Sequence, residues 1–120
     1  MKCLDTYALV EIHDQNPKFL SLLQEDIVIT DITMAEFYTV LYREYGNLTA
    51  DHWDRKLHHF CRPVNKEILI KAVKLRVDSR QKNLSFFDSV GYTFACEHNM
   101  DFVTADEQFE KMKNVLFLKK

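Results

Sequence analysis

Four acidic residues have the types and positions that metal-dependent hydrolysis requires. Asp5 and Asp106 each follow an apolar run, while Glu36 and Asp88 fall in the first turns of predicted helices. Two ionised carboxylates about 4 Å apart repel by about 4 kcal/mol at an effective dielectric of 20, so such a cluster needs a cation or bound protons. Carboxylate oxygens favour Mg²⁺ or Mn²⁺, and such an ion can activate water against a phosphodiester. The pattern therefore indicates nuclease chemistry.

Each acid also has a structural interpretation. Glu36 and Asp88 stand three residues after a Thr and a Ser, which is the spacing of a capping box. Asp106 could cap a short helix, and Asp5 could simply end its strand. Taken singly, these acids favour a structural role, whereas their joint arrangement favours a shared metal site.

The elements that would position these acids are short strands alternating with helices. Apolar runs predict strands at residues 2–5, 27–29, 102–103 and 115–118. Apolar residues recurring every three or four positions predict helices starting near residues 6, 18, 33, 49, 66 and 85, with an extended link at 62–64. Such alternation predicts an α/β fold: a central parallel sheet between two layers of helices, with ligands beyond the carboxyl ends of the strands.

Length and composition indicate one domain over residues 1–120, because 47% of the residues are apolar and no tract divides the chain. The formal charge of −2 excludes the strongly basic class of nucleic-acid binders. Three widely spaced cysteines favour reduced thiols and hence the cytoplasm. We expect no membrane association and no export, because no apolar stretch reaches roughly 18 residues and no secretory signal is recognisable.

Other chemistries have weaker support. His58, His59 and Cys61 suggest zinc, but adjacent histidines on a helix point in different directions and no second Cys/His pair follows. Two glycines are too few for a phosphate-binding loop of a nucleotide enzyme. Tyr7 occupies the position at which a phosphatase with an aspartate nucleophile at Asp5 would carry a second aspartate.

Four segments resemble the ordered motifs of PIN domains, and in particular those of VapC-type toxin ribonucleases. They are LDTYAL at 4–9, TMAEF at 33–37, LSFFD at 84–88 and FVTADEQF at 102–109. The resemblance spans nearly the whole chain. It implies hydrolysis of RNA, with Mg²⁺ or Mn²⁺ held by Asp5, Glu36, Asp88 and Asp106, and with Thr104 orienting the last acid through a hydrogen bond.

The resemblance also implies partners. Toxin members are neutralised by a small antitoxin that inserts a segment into the active-site groove, and PIN domains commonly pair. We therefore expect an RNA substrate, a cognate antitoxin and a homodimer. Phe37, Tyr38, Leu41 and Trp53 could supply the dimer interface, or they could belong to the core.

Several alternatives stay open at this level. Gln108 stands where many relatives have a further acid, so one metal ion or two would fit the sequence. Arg43 and Arg80 are the candidates for contacts with RNA phosphates, although helical charges are commonly just solvated. A toxin cannot be distinguished from a housekeeping nuclease. The alternative function is a non-catalytic PIN-fold module that binds protein.

Overall fold

A computed structural model describes all 120 residues as a sheet of five strands with six α-helices. The strands are β1 (Lys2–Leu4), β2 (Ile27–Thr30), β3 (Cys61–Arg62), β4 (Asp101–Thr104) and β5 (Val115–Phe117). The helices are α1 (Thr6–His13), α2 (Pro17–Leu20), α3 (Asp31–Tyr45), α4 (Asn47–Leu57), α5 (Lys66–Asp78) and α6 (Phe86–Glu97). None of these helices combines the length and the apolar character that crossing a bilayer requires.

All strand pairs are parallel, and the strand order is β3-β2-β1-β4-β5. Strands β2 and β3 are added on one side of β1, and strands β4 and β5 are then added on its other side. The topological switch point therefore lies between β1 and β4. In sheets of this kind, ligands bind beyond the carboxyl ends of the strands at that point.

Successive residues of the central strands face opposite sides of the sheet. Cys3 and Leu4 of β1 belong to two different apolar clusters, and so do Phe102 and Val103 of β4. Residues of α1 to α4 complete one cluster, whereas residues of α5 and α6 complete the other. Because helices cover both faces, the strands are buried on both sides. The prediction of a three-layer α/β/α fold with a central parallel sheet is confirmed.

Helix α3 begins two residues earlier than predicted. Its N-cap is Thr30, whose hydroxyl oxygen accepts a hydrogen bond from the Thr33 N–H at 3.0 Å. Glu36 is therefore the sixth residue of the helix and lies in its second turn, so the prediction of a first-turn position is wrong. A capping box from Thr33 to Glu36 does not form. The Glu36 carboxylate is consequently free for contacts outside its own helix.

Other boundaries also depart from the sequence prediction. The helix predicted from residue 49 begins at Asn47 and ends at Leu57, where a 3-10 turn follows. The helix predicted from residue 66 begins at Lys66 and ends at Asp78. An edge strand, β3, precedes the predicted extended link, because Cys61 pairs with Ile29 of β2. Two residues are too few to reveal a strand by their periodicity.

Two of the residues considered for a dimer interface lie inside the protein. Phe37 is 0% exposed and Leu41 is 1% exposed, both in the cluster beneath α3 and α4. Trp53 packs edge-on against Phe37, with 6.1 Å between the ring centroids. The Tyr38 hydroxyl donates a hydrogen bond to Asp51 at 2.6 Å. Phe37 and Leu41 therefore belong to the core, which was one of the two alternatives that the sequence left open.

Candidate active site

Asp5 and Asp106 lie at the carboxyl edge of the two central strands. Strands β1 and β4 pair with Leu4 opposite Val103. The Asp5 N–H continues this pairing, donating to the Val103 carbonyl oxygen at 3.1 Å. Asp106 follows two residues after the end of β4. The two acids thus leave neighbouring strands at the switch point of the sheet.

Asp5 is a buried carboxylate, 1% exposed, that is held by two hydrogen bonds. Oδ1 accepts from the Ala8 N–H at 2.8 Å, which makes Asp5 the N-cap of α1. Oδ2 accepts from the hydroxyl of Thr104. Because both oxygens are engaged, the orientation of this carboxylate is set by the protein.

Thr104 connects the two acids at the strand ends. While its hydroxyl donates to Asp5, its oxygen accepts from the Asp106 N–H at 2.9 Å. Thr104 therefore bonds to the backbone of Asp106, whereas the resemblance had implied that it orients the Asp106 side chain. That side chain caps a 3-10 turn (Glu107–Phe109), with Oδ1 accepting from the Gln108 N–H at 2.9 Å. Asp106 thus has the capping role considered for it.

Glu36 and Asp88 come from helices α3 and α6, which pack against each other. Glu36 accepts a hydrogen bond from the hydroxyl of Thr6. Asp88 is buried at the third position of α6, and its N–H donates to the hydroxyl of the N-cap Ser85 at 3.0 Å. Both acids line a cavity of about 250 Å³. The remaining lining residues are Thr6, Tyr7, Val10, Val40, Ser85 and Lys120.

The four carboxylates lie within electrostatic range of one another. Burial, and then repulsion from Asp88, raise the pKa of Asp5 well above its usual value, although hydrogen bonds from Thr104 and Ala8 partly oppose the rise. Burial, followed by repulsion from Glu36 and Asp106, raises the pKa of Asp88 to about 7. Asp88 therefore interacts with each of the other three acids. The four acids singled out from the sequence are thus electrostatically linked through Asp88.

The donor set fits a hard divalent cation. No group of three or more His, Cys, Asp or Glu side chains already has the arrangement of a metal site. The four acids offer only carboxylate oxygens, which are the ligands that Mg²⁺ and Mn²⁺ prefer. A bound cation would also offset the repulsion that raises the pKa of Asp5 and of Asp88.

The arginines suggested for RNA contacts lie outside the cavity that contains Glu36 and Asp88. Arg43 is exposed in the last turn of α3, and Arg80 lines a separate depression together with Arg76. The basic residue that does line the acid cavity is Lys120. Sequence analysis did not single it out, because it lies 14 residues beyond Asp106 and belongs to no motif. No signal within the sequence would have indicated its place.

The sequence matches the PIN domain family model over residues 2–115. No curated protein matches it.

Solved structures show the same fold at low sequence identity. A toxin–antitoxin complex from Klebsiella pneumoniae aligns with a TM-score of 0.81 and 17% identity over 100% of both chains. The VapC20 toxin of Mycobacterium tuberculosis, which cleaves the sarcin-ricin loop, aligns with a TM-score of 0.80 and 14% identity over 100% of both chains. VapBC2 from Rickettsia felis, bound to promoter DNA, aligns with a TM-score of 0.73 and 18% identity, covering 99% of this chain and 98% of that chain.

Proposed function

Because the chain belongs to the PIN domain family, we propose that it is a divalent-metal-dependent endoribonuclease and the toxin of a VapBC-type toxin–antitoxin pair. The resemblance inferred from the four sequence segments is confirmed by the family match. PIN domains of VapC toxins are nucleases. The observation that supports the proposal for this chain is the mutual repulsion of four carboxylates, in which burial and neighbouring acids raise the pKa of both Asp5 and Asp88.

In this proposal, Asp5, Glu36, Asp88 and Asp106 hold Mg²⁺ or Mn²⁺ at the carboxyl edge of the sheet. The cation, when bound, supplies an activated water and neutralises charge that develops on the phosphodiester oxygens. Thr104 keeps the Asp5 carboxylate in one orientation and ties it to the backbone of Asp106. Such preorganisation lowers the cost of binding the cation and the RNA phosphate together.

The antitoxin and the cytoplasmic location belong to the same proposal. Solved structures with this fold include toxin–antitoxin complexes, which supports a cognate antitoxin as the partner of this chain. The cavity that contains Glu36 and Asp88 is the place where an antitoxin segment would block RNA. Three free thiols suit a reducing compartment, in which cellular RNA is also available.

We further propose that two copies pair through the apolar face of α5. Ile70, Val73 and Val77 are 47%, 48% and 57% exposed, and their spacing places them along one side of the helix. A groove of about 410 Å³ beside them is lined by Leu69, Ile70, Val73, Lys74 and Phe86. Exposed apolar surface of this kind is typical of interaction sites. The homodimer expected from the resemblance would therefore use α5.

A non-catalytic module that binds protein is the second candidate. The observation that favours it is that Asp5 and Asp106 both cap the elements that follow them. In this alternative the acids would serve the fold alone, and the protein would not turn over RNA.

RNA cleavage distinguishes the two candidates. We expect purified protein to cut a labelled RNA mixture with Mg²⁺ or Mn²⁺ and to stop when EDTA is added. Asp88→Asn nearly preserves volume but removes one charged ligand. Loss of an outer-shell partner costs about 10- to 100-fold, so losing this ligand should lower the cleavage rate by about 100-fold or more.

Asp101→Asn is the matched control, because Asp101 is exposed at the opposite end of β4. It should cut like the wild type. Cleavage by Asp88→Asn at the wild-type rate would refute the site. Failure of the wild type to cut with either metal, while the protein still captures a partner, would favour the binding module.

A further inference from the structure

An exposed aromatic ring lines the cavity that contains Glu36 and Asp88. Tyr7 is the second residue of α1, two positions after Asp5, and it lines the cavity that contains Glu36 and Asp88. Its side chain is 42% exposed and belongs to neither apolar cluster. The core therefore does not account for an aromatic residue at this position.

A cation lies over that ring. The Lys120 Nζ is 4.9 Å from the centroid of the Tyr7 ring and 3.7 Å from Oε2 of Glu11. Lys120 is the one basic residue that lines the acid cavity. Its side chain is largely exposed, so its ion pair with Glu11 contributes little to stability. Lys120 is therefore available to a different anion.

Resting on the nuclease function above, we propose that Tyr7 stacks against a nucleobase next to the scissile phosphate and that Lys120 contacts a phosphate of the same RNA strand. Proteins that bind single-stranded nucleic acid combine these two features: an aromatic platform for the bases and basic groups for the backbone. Here they line the same cavity as Glu36 and Asp88, so a base on Tyr7 would place its own phosphate near those two acids. The pair would thus set the position of the strand in the site.

This arrangement selects unpaired RNA. A base can stack on a protein side chain only after it leaves its neighbours in the helix, which is easiest in loops and single strands. The cavity, at about 250 Å³, is smaller than the roughly 300–1,000 Å³ of pockets for drug-sized ligands, so it would admit part of one nucleotide and not a duplex. Because every base offers a π-face, Tyr7 would select the unpaired state rather than a particular base.

The test compares Tyr7→Ala with Tyr7→Phe in RNA binding and in cleavage. Binding is followed by the anisotropy of a labelled single-stranded octaribonucleotide of random sequence, in EDTA so that no cutting occurs. We expect Tyr7→Ala to weaken binding about 10-fold, within the range for loss of one stacking platform, and Tyr7→Phe to restore most of that loss. Tyr42→Ala is the matched control, because Tyr42 is also exposed but lies outside the cavity.

Cleavage provides the second measurement, with Mn²⁺ present. In Tyr7→Ala we expect KM for the single strand to rise about 10-fold with little change in kcat, because the catalytic acids remain. The same strand held in a duplex should be a poor substrate for both proteins. For an RNA strand that lacks the base beside the cut, wild type and Tyr7→Ala should have the same KM. Lys120→Gln should reduce the slope of log affinity against log salt by about 1.

Failure of this inference is distinguishable from failure of the nuclease proposal. Metal-dependent cleavage with equal KM in wild type and Tyr7→Ala would overturn the role of Tyr7 while keeping the nuclease. Binding that requires the Tyr7 ring, without any cleavage, would support the platform and overturn the nuclease. Equal affinity for single-stranded and duplex RNA in both proteins would refute the selection of unpaired bases.

Discussion

Asp88 is the residue through which the acids of the site are electrostatically connected. Burial, followed by repulsion from Glu36 and Asp106, raises the pKa of Asp88 to about 7, and Asp88 in turn adds to the rise that burial causes in the pKa of Asp5. A carboxylate with such a pKa makes the metal-free fold less stable, because ionised Asp88 is both buried and repelled. In the proposed metal site, the same charge would bind the divalent cation. The proposed function and metal-free stability therefore place opposite demands on this residue.

The pH dependence of metal-free stability follows from that conflict. The pKa of Asp88 is about 7 in the folded protein against an ordinary value of 3.8, so the folded state holds this proton more tightly than the unfolded state. The stabilisation from protonated Asp88 is complete below about pH 4 and is lost as the pH rises towards 7. In EDTA, we expect thermal unfolding to occur at a lower temperature at pH 8 than at pH 5.

Asp88→Asn removes this titration and should raise the metal-free free energy of unfolding at pH 8 by roughly 1–3 kcal/mol. Urea unfolding in EDTA at both pH values measures the difference between variant and wild type. Asp101→Asn should follow the wild type at both values. If Asp88→Asn were no more stable than the wild type at pH 8, the destabilisation assigned to the buried, ionised Asp88 would be contradicted.

At the scale of elements, the close approach of α6 to the sheet decides where Asp88 lies. Gly91 is one turn after Asp88, and a Cβ at Gly91 would be 2.9 Å from Cε1 of Phe102 and 3.5 Å from Oγ1 of Thr33. The helix therefore contacts β4 and the start of α3 at the same point. This contact holds α6 near Glu36, so a small residue in the helix supports the convergence of the acids.

Gly91→Ala should destabilise the protein despite the better helix propensity of alanine. Overpacking costs about 1–3 kcal/mol, against a gain of up to about 1 kcal/mol from propensity. We expect a net loss of about 1 kcal/mol in the free energy of unfolding, measured with urea, together with weaker metal binding. Leu48→Ala, at an exposed position of α4, serves as control. Greater stability of Gly91→Ala would show that Phe102 moves aside easily.

At the scale of the whole molecule, the exposed apolar surface is unevenly distributed. Two of the residues that the sequence offered as an interface, Phe37 and Leu41 of α3, are buried in the core. Ile70, Val73 and Val77 of α5 are exposed to solvent. Burial of an apolar face contributes about 25 cal/mol per Å². The proposed pairing through α5 would remove this apolar face from water.

Val73→Asp should convert the proposed dimer into a monomer, because pairing would bury an unpaired charge at the centre of the α5 face. Light scattering after gel filtration measures the mass. Leu48→Asp is the control, since Leu48 is exposed on α4, away from that face. A wild type that remains a monomer at all concentrations would rule out the pairing, and a dimeric Val73→Asp would rule out the α5 interface.

The sequence by itself predicted the layered fold and singled out the four acids as candidates, because both inferences depend on local patterns of residues. Strand ends and helix starts follow from short runs of apolar residues and from capping residues, so the positions of Asp5 and Asp88 relative to their elements were predictable. The alternation of strands and helices then indicated a parallel sheet and the edge at which these acids lie.

Only the tertiary structure decided which groups touch. The hydrogen bond from Thr104 to Asp5 joins residues 99 positions apart in the chain. Lys120 contacts the ring of Tyr7, although the two residues lie near opposite ends of the sequence. The two-residue strand β3 exists only because β2 offers a partner. Such contacts depend on the packing of separate elements, for which no local run of residues carries a signal. The four acids were therefore recognisable from the sequence, whereas their supports, their pKa values and the Tyr7 platform required the folded chain.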